Sequence, residues 1–299
     1  MVKLKKSRIV YHYTNFSAFE GIFRENCNGQ FWLFDAREMN DKKEIMLFVN
    51  TIKDRACKQL DTPSDNRILE QEFSKQENRV SYIMSFSCNR EDAAQWERYA
   101  DNAKGVCIGF DESKMEDFAH ILNCLYEPDN SGNETCGKHN IPIRWQRVYY
   151  KIPKHELVDE LVNQIKKQSK TELDNLQQAV ESTYASGSAY KSNSFKSENE
   201  KRLIITWPAG QENISFLATP DLIRKYFSID WMKFLIKANA KRKYLVNFVE
   251  PFNYNEFITD IIIGPQSRQS PEVLKEYLED AGYPLLAPKV KKSVCPIII

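Results

Sequence analysis

The chain has 299 residues, of which 42% are hydrophobic and 12% aromatic, so its composition is that of a globular protein and excludes a disordered one. Its 42 Lys and Arg residues nearly cancel its 41 Asp and Glu residues, which excludes a strong overall attraction to nucleic acid or anionic membranes. The 7 cysteines are scattered without a CxxC pair, and no segment is typical of a signal peptide or a membrane span. We therefore expect a protein of the reducing cytoplasm with no membrane partner.

The hydrophobic pattern predicts strands and helices that alternate without a regular βα period. The predicted elements, in chain order, are strand 8–14, helix 15–25, strand 31–34, helix 41–60, strand 80–87, helix 93–100, strand 105–110, a strand beginning at 148–150, helices within 154–184, strands 203–207, 243–249 and 261–265, helix 271–281 and a terminal strand 295–299. The polar stretch 61–77 is predicted to be a loop before a helix, and residues 127–142 are predicted to be a loop.

These elements predict a single α+β domain over residues 1–299. Its centre would be a mostly antiparallel sheet, with a helical insertion at about 154–184. The insertion is amphipathic, since Leu157, Leu161 and Ile165 are spaced four residues apart in a highly charged setting. Asn15 is the expected N-cap of the first helix.

The tetrad Tyr11-His12-Tyr13-Thr14 places a histidine on the first predicted strand, immediately before a helix. Such a histidine is held on rigid backbone and offers a donor and an acceptor at neutral pH. The alternative is a half-buried histidine that is hydrogen-bonded to backbone, which is the commoner situation for a lone histidine.

Two further groups of polar residues lie at predicted strand ends. Alternation places the hydroxyls of Ser85 and Ser87 on one face of their strand and Phe86 on the other. Glu198-Asn199-Glu200 precedes a buried strand, and on an extended segment its two carboxylates would face the same side about 7 Å apart. If these groups form one site, His12, Ser87 and Glu200 should converge on one cleft.

The order His, Ser-x-Ser and Glu-x-Glu resembles the ADP-ribosyltransferases, whose sheet is split into two halves. Tyr-His-x-Thr is similar to the histidine motif of the diphtheria-toxin-like branch, although Tyr13 stands where a glycine is usual. Ser85-Phe86-Ser87 followed by Glu198-Asn199-Glu200 resembles the arginine-motif branch. The resemblance implies a split central sheet and an enzyme that uses NAD as a substrate.

A wider pattern resembles a large bacterial family that is known only as a domain of unknown function and whose members look similar to toxin and phage-defence genes. The pattern consists of Tyr11-His12-Tyr13-Thr14, Asn40-Asp41 with Glu44, Ser85-Phe86-Ser87, Trp96 with Tyr99-Ala100, residues 105–110, Phe195-Lys196 with Glu198, Glu200 and Arg202, and residues 261–265.

The ADP-ribosyltransferase resemblance implies roles for these residues. His12 would bind a ribose of NAD, and Glu200, or less favourably Glu198, would bind the 2′-hydroxyl of the nicotinamide ribose and stabilise the oxocarbenium-like state. The other glutamate would orient or deprotonate a macromolecular acceptor, either nucleic acid or protein. An antitoxin or other regulator protein is a further implied partner. The remaining cofactor contacts would come from Tyr13, Thr14, Ser85, Ser87 and Tyr99.

Asn40, Asp41 and Glu44 have two interpretations. Asn-Asp before a helix, with a glutamate three residues after the aspartate, is typical of an N-terminal cap. The same residues could form a substrate loop. Asp41 and Glu44 could also join Glu198 and Glu200 in binding Mg²⁺ for phosphodiester hydrolysis, which makes a metal-dependent nuclease the enzymatic alternative.

A structural zinc site and a non-catalytic role are also compatible with the sequence. The side chains of His120, Cys124, Cys136 and His139 could supply the four ligands that a structural zinc site needs, although apolar helix packing explains Cys124 as well. A non-catalytic binding or sensor module could contain His12 and Glu200 as hydrogen-bonded groups of a polar interior.

Overall fold

The computed structural model describes residues 8–36, 42–76, 80–125, 143–152, 156–167, 170–207, 214–218, 223–229 and 254–296. Within these ranges, no helix is long and apolar enough to cross a membrane. The strands are β1 (Ile9–Thr14), β2 (Phe31–Asp35), β3 (Val80–Ser87), β4 (Val106–Asp111), β5 (Ile143–Arg147), β6 (Glu200–Trp207), β7 (Ile214–Ala218), β8 (Ile223–Ile229), β9 (Ile258–Ile263) and β10 (Val290–Lys292). The helices are α1 (Phe16–Ile22), α2 (Lys42–Cys57), α3 (Pro63–Gln76), α4 (Ala93–Tyr99), α5 (Glu112–Leu125), α6 (Glu156–Lys167), α7 (Lys170–Gly187), α8 (Tyr254–Phe257) and α9 (Pro271–Asp280).

The strands form one mixed sheet in an α+β architecture, as the sequence predicts. The order of pairing is β10-β9-β4-β1-β3-β2-β8-β7, and β6 pairs with both β3 and β5. β9 and β10 are parallel, and the other recorded pairs are antiparallel. The helices α6 and α7 lie between β5 and β6 in the chain and are the predicted insertion.

The central strand β3 has three strand neighbours, which creates a gap in the sheet. Its full length, from Val80 to Ser87, pairs with β6 along one edge. β2 and β1 share the opposite edge, because β2 pairs opposite Tyr82 and Ile83 whereas β1 pairs opposite Ser87. Among the described strands, residues 84–86 have no backbone partner on this edge. β1 and β2 therefore part beside the middle of β3.

Alternating side chains give the sheet two differently covered faces, which we call face A and face B. Face A carries Phe86 and Phe110 and is covered by aromatic and aliphatic residues of α1, α5, α8 and α9. Face B carries Ile83 and Ile204 under α2, α3, α6 and α7. Beyond the gap, face B continues through Tyr13, which packs with residues of α4 and β9.

The structure corrects three predicted elements. Residues 61–77 contain the helix α3, in which Leu69 and Phe73 are buried and Thr62 accepts a hydrogen bond from the Asp65 N–H. A strand was expected to begin at 148–150, but β5 already ends at Arg147. Where the strand was expected, Tyr149 forms an isolated bridge with Tyr190. In the predicted terminal strand 295–299, the described residues 295 and 296 are not part of a strand, and the last described strand is β10.

Other predicted elements are confirmed or lie outside the described residues. Asn15 does cap α1, since its side chain accepts a hydrogen bond of 2.8 Å from the Ala18 N–H. β7 and β8 form a hairpin that the sequence did not predict. The predicted loop 127–142, the predicted strand 243–249 and residues 297–299 lie outside the described residues.

Candidate active site at the ends of two central strands

The pairing of β3 with β6 brings the serines and one glutamate together on face B. Ser87 lies directly opposite Glu200, and Ser85 lies opposite Arg202. Directly opposed residues of an antiparallel pair place their side chains on the same face. Phe86 packs on face A against Phe110 with ring centroids 5.5 Å apart, so the predicted alternation of hydroxyl and ring is confirmed.

Glu198 joins this group through a turn and not through an extended segment. A 3-10 helix (Asn193–Glu198) ends at Glu198, and Asn199 has left-handed backbone angles of φ 46° and ψ 56° before β6 begins at Glu200. The expected extended Glu-x-Glu is therefore wrong. The two carboxylates nevertheless face the same group, because the turn directs both of them to the ammonium of Lys191.

Four buried charged residues form the centre of the site. Lys191 Nζ lies 2.6 Å from Glu198 Oε2 and 3.4 Å from Glu200 Oε2. Arg202 is fully buried, and its Nε donates to Glu200 Oε1 at 2.8 Å while its guanidinium also donates to the carbonyl of Ser188. Two carboxylates face two cations, so these buried charges are balanced.

The charges around Glu200 keep it ionised. Burial opposes ionisation and would raise the pKa of this carboxyl group, but the positive charges of Arg202 and Lys191 outweigh burial and lower its pKa. The hydroxyl of Ser85 faces Glu200 and contributes in the same direction. Ser85 Oγ is nevertheless buried and meets no hydrogen-bond partner of normal geometry within the described residues.

The helix α4 supplies the exposed rim of the site. Tyr99 donates a hydrogen bond of 3.1 Å to Glu198 Oε1, and Arg98 lies 3.2 Å from the same oxygen. Tyr99 is 45% exposed, and the Arg98 side chain is 53% exposed. Burial of the hydroxyl, together with the charge of Glu198 and against the opposing charge of Lys191, raises the pKa of Tyr99 to about 12. Glu198 thus contacts residues that reach the surface.

Four residues of the site were given no role there by sequence reasoning, although Arg202 belongs to the wider family pattern. These residues are Arg98, Tyr150, Lys191 and Arg202. Tyr150 accepts a hydrogen bond of 2.9 Å from the Glu200 N–H, which fixes the start of β6. Arg202 carried a signal, because a charged residue two positions after Glu200 in a buried strand needs a partner. No sequence pattern pointed to Lys191, since it lies after the helices in a segment of mostly small and polar residues.

His12 lies on the other face of the sheet. Its neighbour across the sheet in β4 is Ile108, which belongs to the core of face A, and its ring contacts Phe86 at 5.6 Å. The Nδ1–H donates to the carbonyl of Ser85 at 2.9 Å, because a carbonyl oxygen can only accept. Burial lowers the pKa of His12 despite this bond. His12 therefore does not share one cleft with Ser87 and Glu200, in contrast to the expectation.

The two tetrad residues that follow His12 have structural contacts. Tyr13 is buried on face B, donates to the Asn89 carbonyl at 3.0 Å and meets the Trp96 ring edge-on at 5.1 Å. Thr14 is buried at the end of β1, opposite Val106. Neither contacts a carboxylate of the site, so the structure brings together Ser85, Ser87, Tyr99, Glu198 and Glu200 out of the predicted set.

Several predicted residues cannot be placed at the site. Asn40 and Asp41 lie outside the described residues, and Glu44 lies in α2.

Of the four possible zinc ligands, His120 and Cys124 lie in α5, whereas Cys136 and His139 are outside the described part of the chain. Within that part, no group of three or more His, Cys, Asp or Glu residues is placed to hold a metal ion.

Comparison with known proteins gives one match. Residues 95–203 match the model of a family described as a protein of unknown function (DUF2971). No curated protein and no solved structure matches the chain. The matched segment runs from α4 to β6 and contains Tyr99, Lys191, Glu198, Glu200 and Arg202. The expected similarity to an uncharacterised family is thus confirmed for this segment, whereas the motifs outside it and the ADP-ribosyltransferase resemblance stay predictions.

Proposed function

We propose that this site binds NAD and transfers its ADP-ribose to a macromolecular acceptor. The observation that carries the proposal is the convergence of Glu198, Glu200 and the buried Ser85 hydroxyl beneath an exposed tyrosine, next to the gap in the sheet. Buried hydroxyls are normally hydrogen-bonded, and a ligand hydroxyl would give Ser85 the partner of normal geometry that it lacks among the described residues. The nicotinamide ribose of NAD offers hydroxyls to Ser85 and Glu200, and its positive ring suits a carboxylate.

The two glutamates have different parts in the proposed reaction. Glu200 is ionised and fixed by Arg202, so its charge is in place when the bond between the ribose C1 and the nicotinamide nitrogen breaks and nicotinamide leaves with the electron pair. Glu198 lies beside the exposed groups Arg98 and Tyr99, where an acceptor would approach. It accepts the proton that the acceptor hydroxyl, amine or base nitrogen loses as it bonds to C1.

In this proposal, His12 supports the site from the opposite face. Its hydrogen bond to the Ser85 carbonyl fixes the peptide of β3 at the gap, where backbone pairing is missing. His12 therefore acts through Ser85, and not through a contact with ribose.

Binding of Mg²⁺ by Glu198 and Glu200 has less support. Both carboxylates already face Lys191, and Glu200 also binds Arg202. A divalent cation would have to displace these cations or lie beside them at a cost in repulsion. The acceptor, as protein or nucleic acid, and the toxin or defence role with a regulator protein rest on the sequence resemblance alone, and the cytoplasmic location rests on the scattered cysteines.

The test of the proposed function is NAD consumption by the purified protein. The protein is incubated with NAD that carries ³²P in the adenylate phosphate, with and without cell extract, and released nicotinamide and label in protein and nucleic acid are measured. The wild type should release nicotinamide, and Glu200→Gln should reduce the rate by about 100-fold, the usual loss when an oriented electrostatic group is removed. Glu97→Gln, an exposed glutamate of α4, is the matched control and should keep the wild-type rate. Absence of nicotinamide release and of transferred label contradicts the proposal.

A further inference from the structure

Asn199 has an unusual backbone conformation at the centre of the site. Its φ of 46° lies in the left-handed region, which is unfavourable for residues with a Cβ atom and is tolerated best by glycine and asparagine. The two flanking residues are the glutamates of the site. An extended residue at this position would direct Glu198 along the strand, whereas the left-handed turn returns it toward Lys191, the residue that Glu200 also contacts.

The side chain of Asn199 is held on both sides. Its Oδ1 accepts a hydrogen bond of 2.7 Å from the guanidinium of Arg147 at the end of β5. Its Nδ2 donates to Oδ1 of Asn89 at 3.2 Å, in the segment that follows β3. Asn89 in turn donates to the Ser197 carbonyl at 2.9 Å, so the turn is tied to two strand ends.

The backbone groups of Asn199 are also used. Its N–H donates to the Lys196 carbonyl at 3.3 Å, and its carbonyl accepts from the Cys88 N–H at 2.9 Å. Every hydrogen-bonding group of Asn199 therefore has a partner that fixes the turn. Glycine could adopt the same backbone angles, so the side-chain bonds add to a turn whose direction is set by the left-handed backbone.

We infer that Asn199 is the positioning residue of this site: its left-handed turn, tied to Arg147 and Asn89, brings Glu198 and Glu200 onto one ammonium and sets the distance between the two proposed catalytic carboxylates. This inference rests on the proposed function for its consequence in catalysis. Its geometric part concerns only where Glu198 lies, and that can be measured without any substrate.

The test compares Asn199→Gly, which keeps the left-handed turn available, with Asn199→Val, whose branched side chain makes that turn unfavourable. Asn199→Ala is the milder variant if the valine protein does not fold. The first measurement is the ¹³Cζ resonance of Tyr99, assigned by its absence in Tyr99→Phe. Loss of the Glu198 contact in Asn199→Val should move this resonance to the position of a solvated tyrosine, whereas Asn199→Gly should stay close to the wild type.

The second measurement is the kinetics of NAD consumption, far below the unfolding temperature of each variant. Asn199→Val should lower kcat at least about 10-fold with little change in KM, because displacement of a catalytic group by about 1 Å can cost up to about 100-fold. Asn199→Gly should lie within about threefold of the wild type.

The outcomes separate the two claims. A Tyr99 resonance that is unchanged in Asn199→Val, or equal effects of glycine and valine on both readouts, would overturn the positioning role. If the wild type consumes no NAD, the proposed function fails, while the Tyr99 resonance still decides whether Asn199 positions Glu198.

Discussion

At the scale of single residues, the site depends on charges that are buried together. Lys191 is the one cation that contacts both Glu198 and Glu200 among the described residues, and all three side chains are at most 7% exposed. Removing two charges from water is expensive, and their mutual attraction offsets this cost only while the geometry holds. The loss of one partner therefore costs more than the pair contributes.

Replacing Lys191 by methionine should destabilise the protein strongly. The substitution keeps the length of the side chain but leaves Glu198 without its closest cation in a buried position, for which a loss of about 3–5 kcal/mol is typical. Urea unfolding followed by circular dichroism measures the loss. Lys196→Met changes an exposed lysine of the adjoining 3-10 helix and should cost little. Equal effects of the two substitutions would show that the buried charges are not coupled.

His12 should make the stability of the fold depend on pH. Burial lowers its pKa below the ordinary value of 6.5, so the unfolded chain binds a proton at a pH where the folded protein does not. The contribution of neutral His12 to the free energy of unfolding is complete above about pH 6.5. This contribution is lost as the pH falls through the pKa of His12 in the folded protein. Asparagine places its Nδ2–H where the His12 Nδ1–H lies, and it does not titrate.

The measurement for His12 is the free energy of unfolding between pH 5 and pH 8 for the wild type, His12→Asn and His12→Ala. His12→Asn should show a weaker fall toward acid pH than the wild type, while it retains the donor to the Ser85 carbonyl. His12→Ala should be less stable at pH 8, by about 1 kcal/mol for the lost hydrogen bond plus its packing. A wild-type slope that His12→Asn reproduces would assign the acid sensitivity to other groups.

At the scale of elements, α4 connects the tyrosine rim to the strands below it. Asp92 caps this helix by accepting from the N–H groups of Ala94 at 2.9 Å and Gln95 at 3.2 Å. Its other carboxylate oxygen accepts from Asn89 at 3.3 Å, in the segment that also contacts Asn199. The position of Tyr99 over Glu198 thus depends on a cap at the other end of a two-turn helix.

Removal of this cap should loosen the rim of the site. Asp92→Ala should lower the free energy of unfolding by about 1 kcal/mol, which is typical for an N-cap aspartate. It should also accelerate amide exchange at Trp96 and Ala100, whose N–H groups bond within or at the end of α4. Asp92→Asn retains a side-chain acceptor and should keep most of the protection. Exchange that is equally fast in both variants would assign the effect to the negative charge.

The elements show what could be predicted from the sequence and what could not. β3 and α4 were predicted because their apolar residues recur with the spacing of a strand and of a helix. Most of the helix α3 was predicted to be loop because most of its residues are polar and only a few, such as Leu69 and Phe73, are apolar and buried. At the site, period-two alternation predicted the shared face of Ser85 and Ser87. The left-handed Asn199 and the contact with Lys191 depend on tertiary contacts that no local period contains.

At the scale of the whole molecule, the sheet separates two cores. Face A is packed with aromatic rings such as Phe110 and Phe118, whose centroids lie within 6 Å of Phe31. Face B contains the aliphatic residues of the insertion, among them Leu161 and Val180, in one cluster with Ile83 and Ile204 of the sheet. The insertion α6–α7 therefore buries its apolar side against the sheet itself and has no separate core among the described residues.

The two cores should unfold in one transition, because each consists partly of the same central strands. The 5 tryptophans, at positions 32, 96, 145, 207 and 231, all lie outside 156–187, so their fluorescence reports on the rest of the protein, whereas far-ultraviolet circular dichroism also reports on the helices of the insertion. Leu161 is fully buried, and Leu161→Ala should destabilise the protein by about 2–5 kcal/mol. Both signals should move to the same lower urea concentration. If the fluorescence transition stays at its wild-type midpoint while the dichroism signal shifts, the insertion unfolds independently and the chain contains two cooperative units.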